Sequence, residues 1–329
     1  MCSRRGFFAF FAGFLLLLAI SPSLFALDVN GVEYVSVAQY ARQCGMKYKT
    51  VVRGRKMSVF NSWQTVNFEV NSRVVTVNGF NVCLGHPVAV SKSMLYISKR
   101  DTYKTLAPVL FPHLTPKPRR PFHIVIDAGH GGKDNGAENK RYGVKEKNVN
   151  LDVALRLGAE LRKLGYKVSY TRTSDVFVDL EYRPIIANRR NADLFVSVHS
   201  NSAANKGVSG LETYALTPVW LPSSSSAKLT KSDTVSYPGN NVDGWSQVLS
   251  FSVQKSLVNS TGAEDRGARR ARFAVLRTAN MPACLIEVGF LSNNSECLKL
   301  ANAAYRQRLA AAIARGISTY AAYTRRSRK

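Results

Sequence analysis

Acidic residues are scarce in this chain of 329 residues: 21 Asp and Glu stand against 46 Lys and Arg, a net charge of +25. Such a deficit excludes an acidic solvating protein and points to an anionic partner. Nucleic acid is not that partner, because no zinc-finger spacing and no interleaved aromatic-basic signature accompanies the charge. A basic surface that serves solubility alone stays open as the plainer reading. Cysteine is also sparse, five in all, and their spacing matches no Cys-rich zinc site. A membrane-spanning run is missing too: the apolar stretch after Arg4 and Arg5, "GFFAFFAGFLLLLAI", is too short to cross a bilayer comfortably.

What that stretch does resemble is an export signal. Two arginines, an apolar run and a small residue, Ala26, are the parts of a cleavable secretory signal peptide over 1–26. Its removal takes away two arginines and no acids and leaves +23. Cys2 precedes the apolar run, so it is not a lipoprotein cysteine. An exported protein, in the periplasm or at the cell envelope or outside it, meets a carboxylate- or phosphate-rich envelope polymer rather than genomic nucleic acid. Four cysteines, Cys44, Cys83, Cys284 and Cys297, remain, and an oxidising compartment permits disulfides, Cys44–Cys83 most easily. Cys284 lies in an apolar run and reads equally as core.

The segment "PHLTPKPRRP", 112–121, with four prolines and three Lys or Arg, reads as a stiff extended linker. It separates a small α+β module, 27–111, from a larger one, 122–324, with 325–329 as a basic tail. In the small module two Val-Asn-Gly sequences between alternating apolar residues predict hairpins, with a short helix in "VAQYARQCG". This part weakly resembles the small α/β repeat modules attached to many secreted bacterial proteins, and it reads as a spacer or wall-contacting unit. The larger module alternates strand and helix. Strands are expected at 124–126, 167–171, 194–198, 210–216, 274–276 and 284–288. Helices are expected at 148–164, 183–191, 245–257 and 303–323. That order predicts an α/β fold, a mainly parallel twisted sheet with helices on both faces. Ligand sites in such sheets lie beyond the carboxyl ends of the strands.

His130 follows the strand in "FHIVIDAGHGGKDNG", His199 ends "DLFVSVHSNS" and Glu287 ends "ACLIEVGF", while Glu146 starts the helix after the first loop. Two histidines and two glutamates suit a catalytic zinc with three N/O ligands, an open position for water and a further carboxylate as general base. Each residue also has a plain structural reading. A histidine after a strand is commonly a hydrogen-bonded loop residue, and Glu146 alone is an acid favoured by a helix N-terminus. Glu287 is set among apolar neighbours, where an unpaired carboxylate is costly.

Seven blocks, "IVIDAGHGGKDNGA", "GVKEKNVNLDVALRLGAEL", "YTRTSDVFVDLEYRPIIAN", "ADLFVSVHSNS", "GLETYAL", "RFAVLR" and "MPACLIEVGFLSN", occur in order between Ile124 and Asn293, within a resemblance that runs from about Ile124 to Tyr320. Together they resemble the zinc-dependent N-acetylmuramoyl-L-alanine amidases of bacterial cell walls. The resemblance implies one zinc held by His130, Glu146 and His199, with Glu287 as catalytic glutamate. It implies peptidoglycan as substrate, cut between N-acetylmuramic acid and L-alanine of the stem peptide by a monomer. A zinc peptidase cutting inside the stem peptide and a non-catalytic wall-binding protein are the competing readings. Asp127 and Asp134 flank the turn and either orient His130 or serve turn chemistry. Glu212, Arg183 and Asn188 read as structural. Some relatives carry an inserted helix that covers the zinc until a partner removes it. The matching stretch here, 217–244, is Ser-rich, contains no glutamate and reads as an open loop lining the substrate groove, so helix gating is not expected, and whether an activator protein is needed stays open.

Overall fold

The computed structural model describes residues 26–116, 118–226 and 228–325. The expected signal peptide lies outside the described residues except for Ala26, and the tail lies outside except for Arg325. No helix among the described residues is long and apolar enough to cross a membrane.

In chain order the first strands are β1 (Ala26–Val29), β2 (Val32–Ser36), β3 (Lys47–Val52), β4 (Lys56–Phe60), β5 (Thr65–Glu69), β6 (Val74–Val77), β7 (Phe80–Cys83), β8 (Ala89–Ser91) and β9 (Met94–Ser98). Both Asn-Gly pairs form the expected hairpin turns, joining β1 to β2 and β6 to β7, with Asn30, Gly31, Asn78 and Gly79 all at positive φ. The helix Val37–Gln43 starts on Ser36, whose hydroxyl accepts from the Gln39 amide.

Then follow β10 (His123–Ala128), β11 (Glu138–Asn139), β12 (Val144–Lys145), β13 (Lys167–Tyr170), β14 (Leu194–Asn201), β15 (Leu211–Leu216), β16 (Asp265–Ala271) and β17 (Ala283–Phe290). Strands β10 and β17 are buried along their whole length, as strands covered on both faces must be. Helices Glu146–Lys163, Asp243–Thr261 and Ala303–Thr324 pack one face around Val153, Leu157, Val253 and Ile313. The short helices Tyr182–Arg189 and Ala274–Arg277 cover the other face around Phe195, Val275 and Leu285. The expected α/β architecture is the observed one.

Strands β13, β10, β14 and β17 run parallel, so their carboxyl ends share one edge. Strand β15 is antiparallel to β17, and β16 runs parallel to β15. The sheet does not stop at β16. Val82 of β7 bridges Ala268, and β6, β5, β4 and β3 continue it to eleven strands. The small module, which has its own core around Val59, Phe68 and Leu95, thus joins the larger one edge to edge. The proline-rich segment packs as well: the Trp245 indole donates to the Pro116 carbonyl at 2.6 Å.

Three expectations are corrected. The segment 274–276 is helical, because the sheet position belongs to β16, whose sequence "DRGARRA" hides a strand behind charges that find partners inside. The loop 217–242 does not line the groove at the strand carboxyl ends: β15 enters at Glu212, opposite Glu287, and Leu216 delivers the chain to the other end of the sheet. The four described cysteines are free thiols, so Cys44 and Cys83 are not paired.

Candidate metal centre

The turn after β10 is held in an unusual backbone state. His130 has φ 62°, in the left-handed region that a residue with a side chain adopts only when its surroundings compel it. Two buried arginines supply the compulsion. Arg183 donates to the carbonyls of Ala128 and His130 at 2.8 and 2.9 Å, and Arg172 to those of Ala128 and Gly129 at 2.8 and 2.9 Å. Sequence spacing gave no sign of this clamp, since both arginines lie more than forty positions away.

The glycines make room for specific neighbours. A Cβ on Gly129 would sit 2.3 Å from Cε1 of His199, and one on Gly136 would sit 2.5 Å from Oε2 of Glu146. Gly131 and Gly132 accommodate the backbone of Val176 and Phe177, where a Cβ would come within 2.3 and 2.6 Å. Their role is therefore close packing of the 175–177 loop onto the turn. Lys147 fastens that loop, donating to the Gly132 carbonyl at 2.7 Å and to Asp175 at 2.8 Å.

His130, Glu146 and His199 converge as the sequence suggests, each offering a ligand atom within 4.8 Å of the others. Oε1 of Glu146 lies 3.2 Å from Nε2 of His130 and 3.0 Å from Nδ1 of His199. The Ala137 amide donates to Oε2 of Glu146 at 2.8 Å, and the Asn150 amide and Ser200 N–H donate to Oε1. Asp134 holds Nδ1 of His130 at 2.7 Å, which turns Nε2 inward. Asp127 does not touch His130. It sits fully buried against Arg183, Thr171 and Ser197, and so acts on the turn only through Arg183.

Burial would raise the Glu146 carboxyl, but the hydrogen bonds and charges of His130 and His199 hold it well below the usual carboxylate range. Burial would lower His130, but Glu146 and Asp134 hold it above its ordinary value. Two imidazoles and one ionised carboxylate, braced from behind by Asp134, Ala137 and Asn150, fit a zinc ion.

Glu287 stands beside His199 in the β14–β17 register. It is 9% exposed, and its Oε2 is buried without a hydrogen-bond partner among the described residues. Burial, reinforced by the negative charges of Glu146 and Glu212, pushes its carboxyl well above the ordinary value. Glu212 is the cross-strand neighbour of Glu287, and it accepts from Arg266 at 2.8 Å, Tyr214 at 2.7 Å and Asn201 at 3.1 Å. Chemically, the arrangement offers three metal donors and one carboxylate poised to take up a proton.

Residues 124–319 match the N-acetylmuramoyl-L-alanine amidase family. The chain is 37% identical over 197 residues to the uncharacterized protein YqiI of Bacillus subtilis, covering 60% of this chain and 84% of that protein. It is 33% identical over 222 residues to the N-acetylmuramoyl-L-alanine amidase AmiC of Escherichia coli, covering 61% of this chain and 53% of the relative, about half its length. The solved N-acetylmuramoyl-L-alanine amidase of Clostridium difficile 630 superposes with a TM-score of 0.52 at 35% identity, over 61% of this chain and 97% of that one.

Proposed function

The chain belongs to the N-acetylmuramoyl-L-alanine amidase family, and we propose that it hydrolyses the amide between the lactyl group of N-acetylmuramic acid and the L-alanine that begins the stem peptide. Residues 122–324 carry the reaction and 27–111 are an accessory module. It acts as a monomer, exported to the periplasm or cell envelope, where the +23 charge left after removal of 1–26 attracts peptidoglycan and other anionic envelope polymers.

His130, Glu146 and His199 would hold one zinc. Zinc, when bound, supplies a Lewis acid for the lactyl carbonyl and makes water acidic enough to react near neutral pH. Glu287 accepts a proton from the attacking water on its buried carboxylate. The carbon–oxygen bond forms in that attack, and Glu287 then returns the proton to the alanine nitrogen as the carbon–nitrogen bond breaks. Arg172 and Arg183 keep His130 in its left-handed turn, and Asp134 keeps Nε2 facing inward. The observation that carries this reading is the arrival of His130, Glu146, His199 and Glu287 at one edge of the sheet from four separate segments.

The test is mass spectrometry of muropeptides after digestion by the full chain. Release of intact stem peptides that begin with L-alanine, abolished by a chelator, is expected. Cuts inside the stem peptide, or no cut at all, would overturn the proposal.

A further inference from the structure

The loop that the sequence places over the groove builds a second cleft instead. Leu216 lies four residues beyond Glu212, about 13 Å along β15 and toward the opposite end of the sheet. There the loop meets the small module and encloses a cavity of about 410 Å³, lined among others by Glu33, His86, Lys99, Arg100, Tyr103 and Trp220. That volume is in the range of ligand pockets.

The walls are fixed. Leu221 seats against Gly85, where a Cβ would come within 2.5 Å of its Cδ2. Arg73 of the small module donates to the carbonyls of Ser223 at 3.0 Å and Ser226 at 2.5 Å. Arg272 donates to those of Pro218 and Leu221 at 3.0 and 3.1 Å, and the Trp220 amide to Asp233 O at 2.8 Å.

On this frame Trp220 is held at φ 64° with 51% of its surface exposed. A left-handed backbone and an uncovered indole both carry a cost, and together they mark a residue presented for contact. Tyr103, also exposed, lines the same cleft. Lys99 is tied to Glu33 at 2.8 Å, whereas the Arg100 side chain makes no hydrogen bond or ion pair among the described residues. The cleft therefore offers aromatic faces and one guanidinium available to a carboxylate.

We propose that this cleft binds glycan strands of the wall whose muramic residues carry free lactyl carboxylates. Flat aromatic rings suit the apolar faces of sugar rings, and the Arg100 guanidinium suits the carboxylate. Hydrolysis of the lactyl amide creates that group: water adds oxygen to the carbonyl carbon, the nitrogen leaves with the peptide, and the strand keeps a carboxylate where it had a neutral amide. The cleft then favours strand already processed over strand still bearing stem peptides, and holds the enzyme where it has worked. The choice of ligand rests on the amidase reading; the cleft does not.

The test is calorimetric titration of the full zinc-loaded chain with a peptide-free tetrasaccharide of alternating N-acetylglucosamine and N-acetylmuramic acid, which has no lactyl amide to cleave, and with chitotetraose as the carboxylate-free control. Trp220→Ala and Arg100→Glu should each weaken the acidic ligand about tenfold, Trp220→Phe should retain most of the binding, and chitotetraose should bind more weakly and ignore Arg100→Glu. If Trp220→Ala fails to fold by thermal melting, Arg100→Glu decides. Unchanged binding in both variants, or chitotetraose binding as tightly as the acid, would overturn the proposal. Because binding is read without turnover, a chain that binds the tetrasaccharide yet releases no stem peptide would refute the amidase reading alone.

Discussion

Glu287 and Glu212 face each other across β17 and β15, yet only Glu212 is surrounded by donors. Arg266, Tyr214 and Asn201 fix one carboxylate in place, while Oε2 of the other is buried and unpartnered. Neighbouring acids in such contrasting surroundings take different roles. Glu212 is a braced structural anion, and Glu287 is the group free to exchange a proton.

Substitution at Gly129 tests the packing of the metal ligands. The added methyl of Gly129→Ala would lie 2.3 Å from the His199 ring, with no positive φ to confuse the result. Zinc content measured by elemental analysis should fall sharply, and stem-peptide release should drop by about 100-fold or more. Gly165→Ala is the control. Gly165 has φ 83° and no atom within 4 Å of an added Cβ, so only backbone strain of about 1 kcal/mol is expected, with zinc retained.

Asp134 holds the far nitrogen of His130 and touches nothing that reacts. Asp134→Ala should weaken zinc binding about 10–100-fold in a competition titration. Asp134→Asn should recover part of that loss, because an amide oxygen still accepts from Nδ1–H.

Acid stability should depend on Asp127. Burial would raise its carboxyl, but the Arg183 guanidinium and the hydroxyls of Thr171 and Ser197 outweigh burial and hold it below the ordinary value. A carboxyl depressed in the folded state adds stability that is present above its unfolded pKa of about 3.9 and is lost as pH falls through the lower folded value. Denaturation of the wild type should therefore show falling stability below about pH 4. Asp127→Asn should flatten that part of the curve and cost about 3–5 kcal/mol at neutral pH, since Arg183 stays buried without its counter-charge.

The junction between the two parts of the chain depends on Arg73, which reaches the carbonyls of Ser223, Ser224 and Ser226. Arg73→Ala should destabilise the 217–231 segment by about 2 kcal/mol. Limited proteolysis should then cut within that segment faster than in the wild type.

The metal residues were legible because each lies at the end of an apolar strand or the start of a helix, where local pattern fixes position. The strand at 265–271 was not legible. Its arginines interrupt the apolar signal, and only the fold reveals that Arg269 reaches Glu212 and Arg270 reaches the carbonyls of Leu216 and Lys104. The place of the 217–242 loop was hidden for a related reason. Strand pattern gives the length of β15 but not its direction, and the antiparallel run beside β17 sends the loop to the far end. The sequence marks Arg183 only as structural and Arg172 not at all, because a side chain that closes on carbonyls forty to fifty positions away leaves no periodic trace. The partners of the turn's glycines are equally hidden in the sequence: Gly131 and Gly132 fit the 175–177 loop and Gly129 fits His199.

The most direct test of the central claim is the rate of stem-peptide release by Glu287→Ala, with zinc content measured on the same sample. Glu287 is not among the three converging metal donors, so the account predicts one zinc per chain, as in the wild type, with a rate lower by about 10²–10⁴. A variant that keeps its zinc and releases stem peptides at the wild-type rate would contradict it.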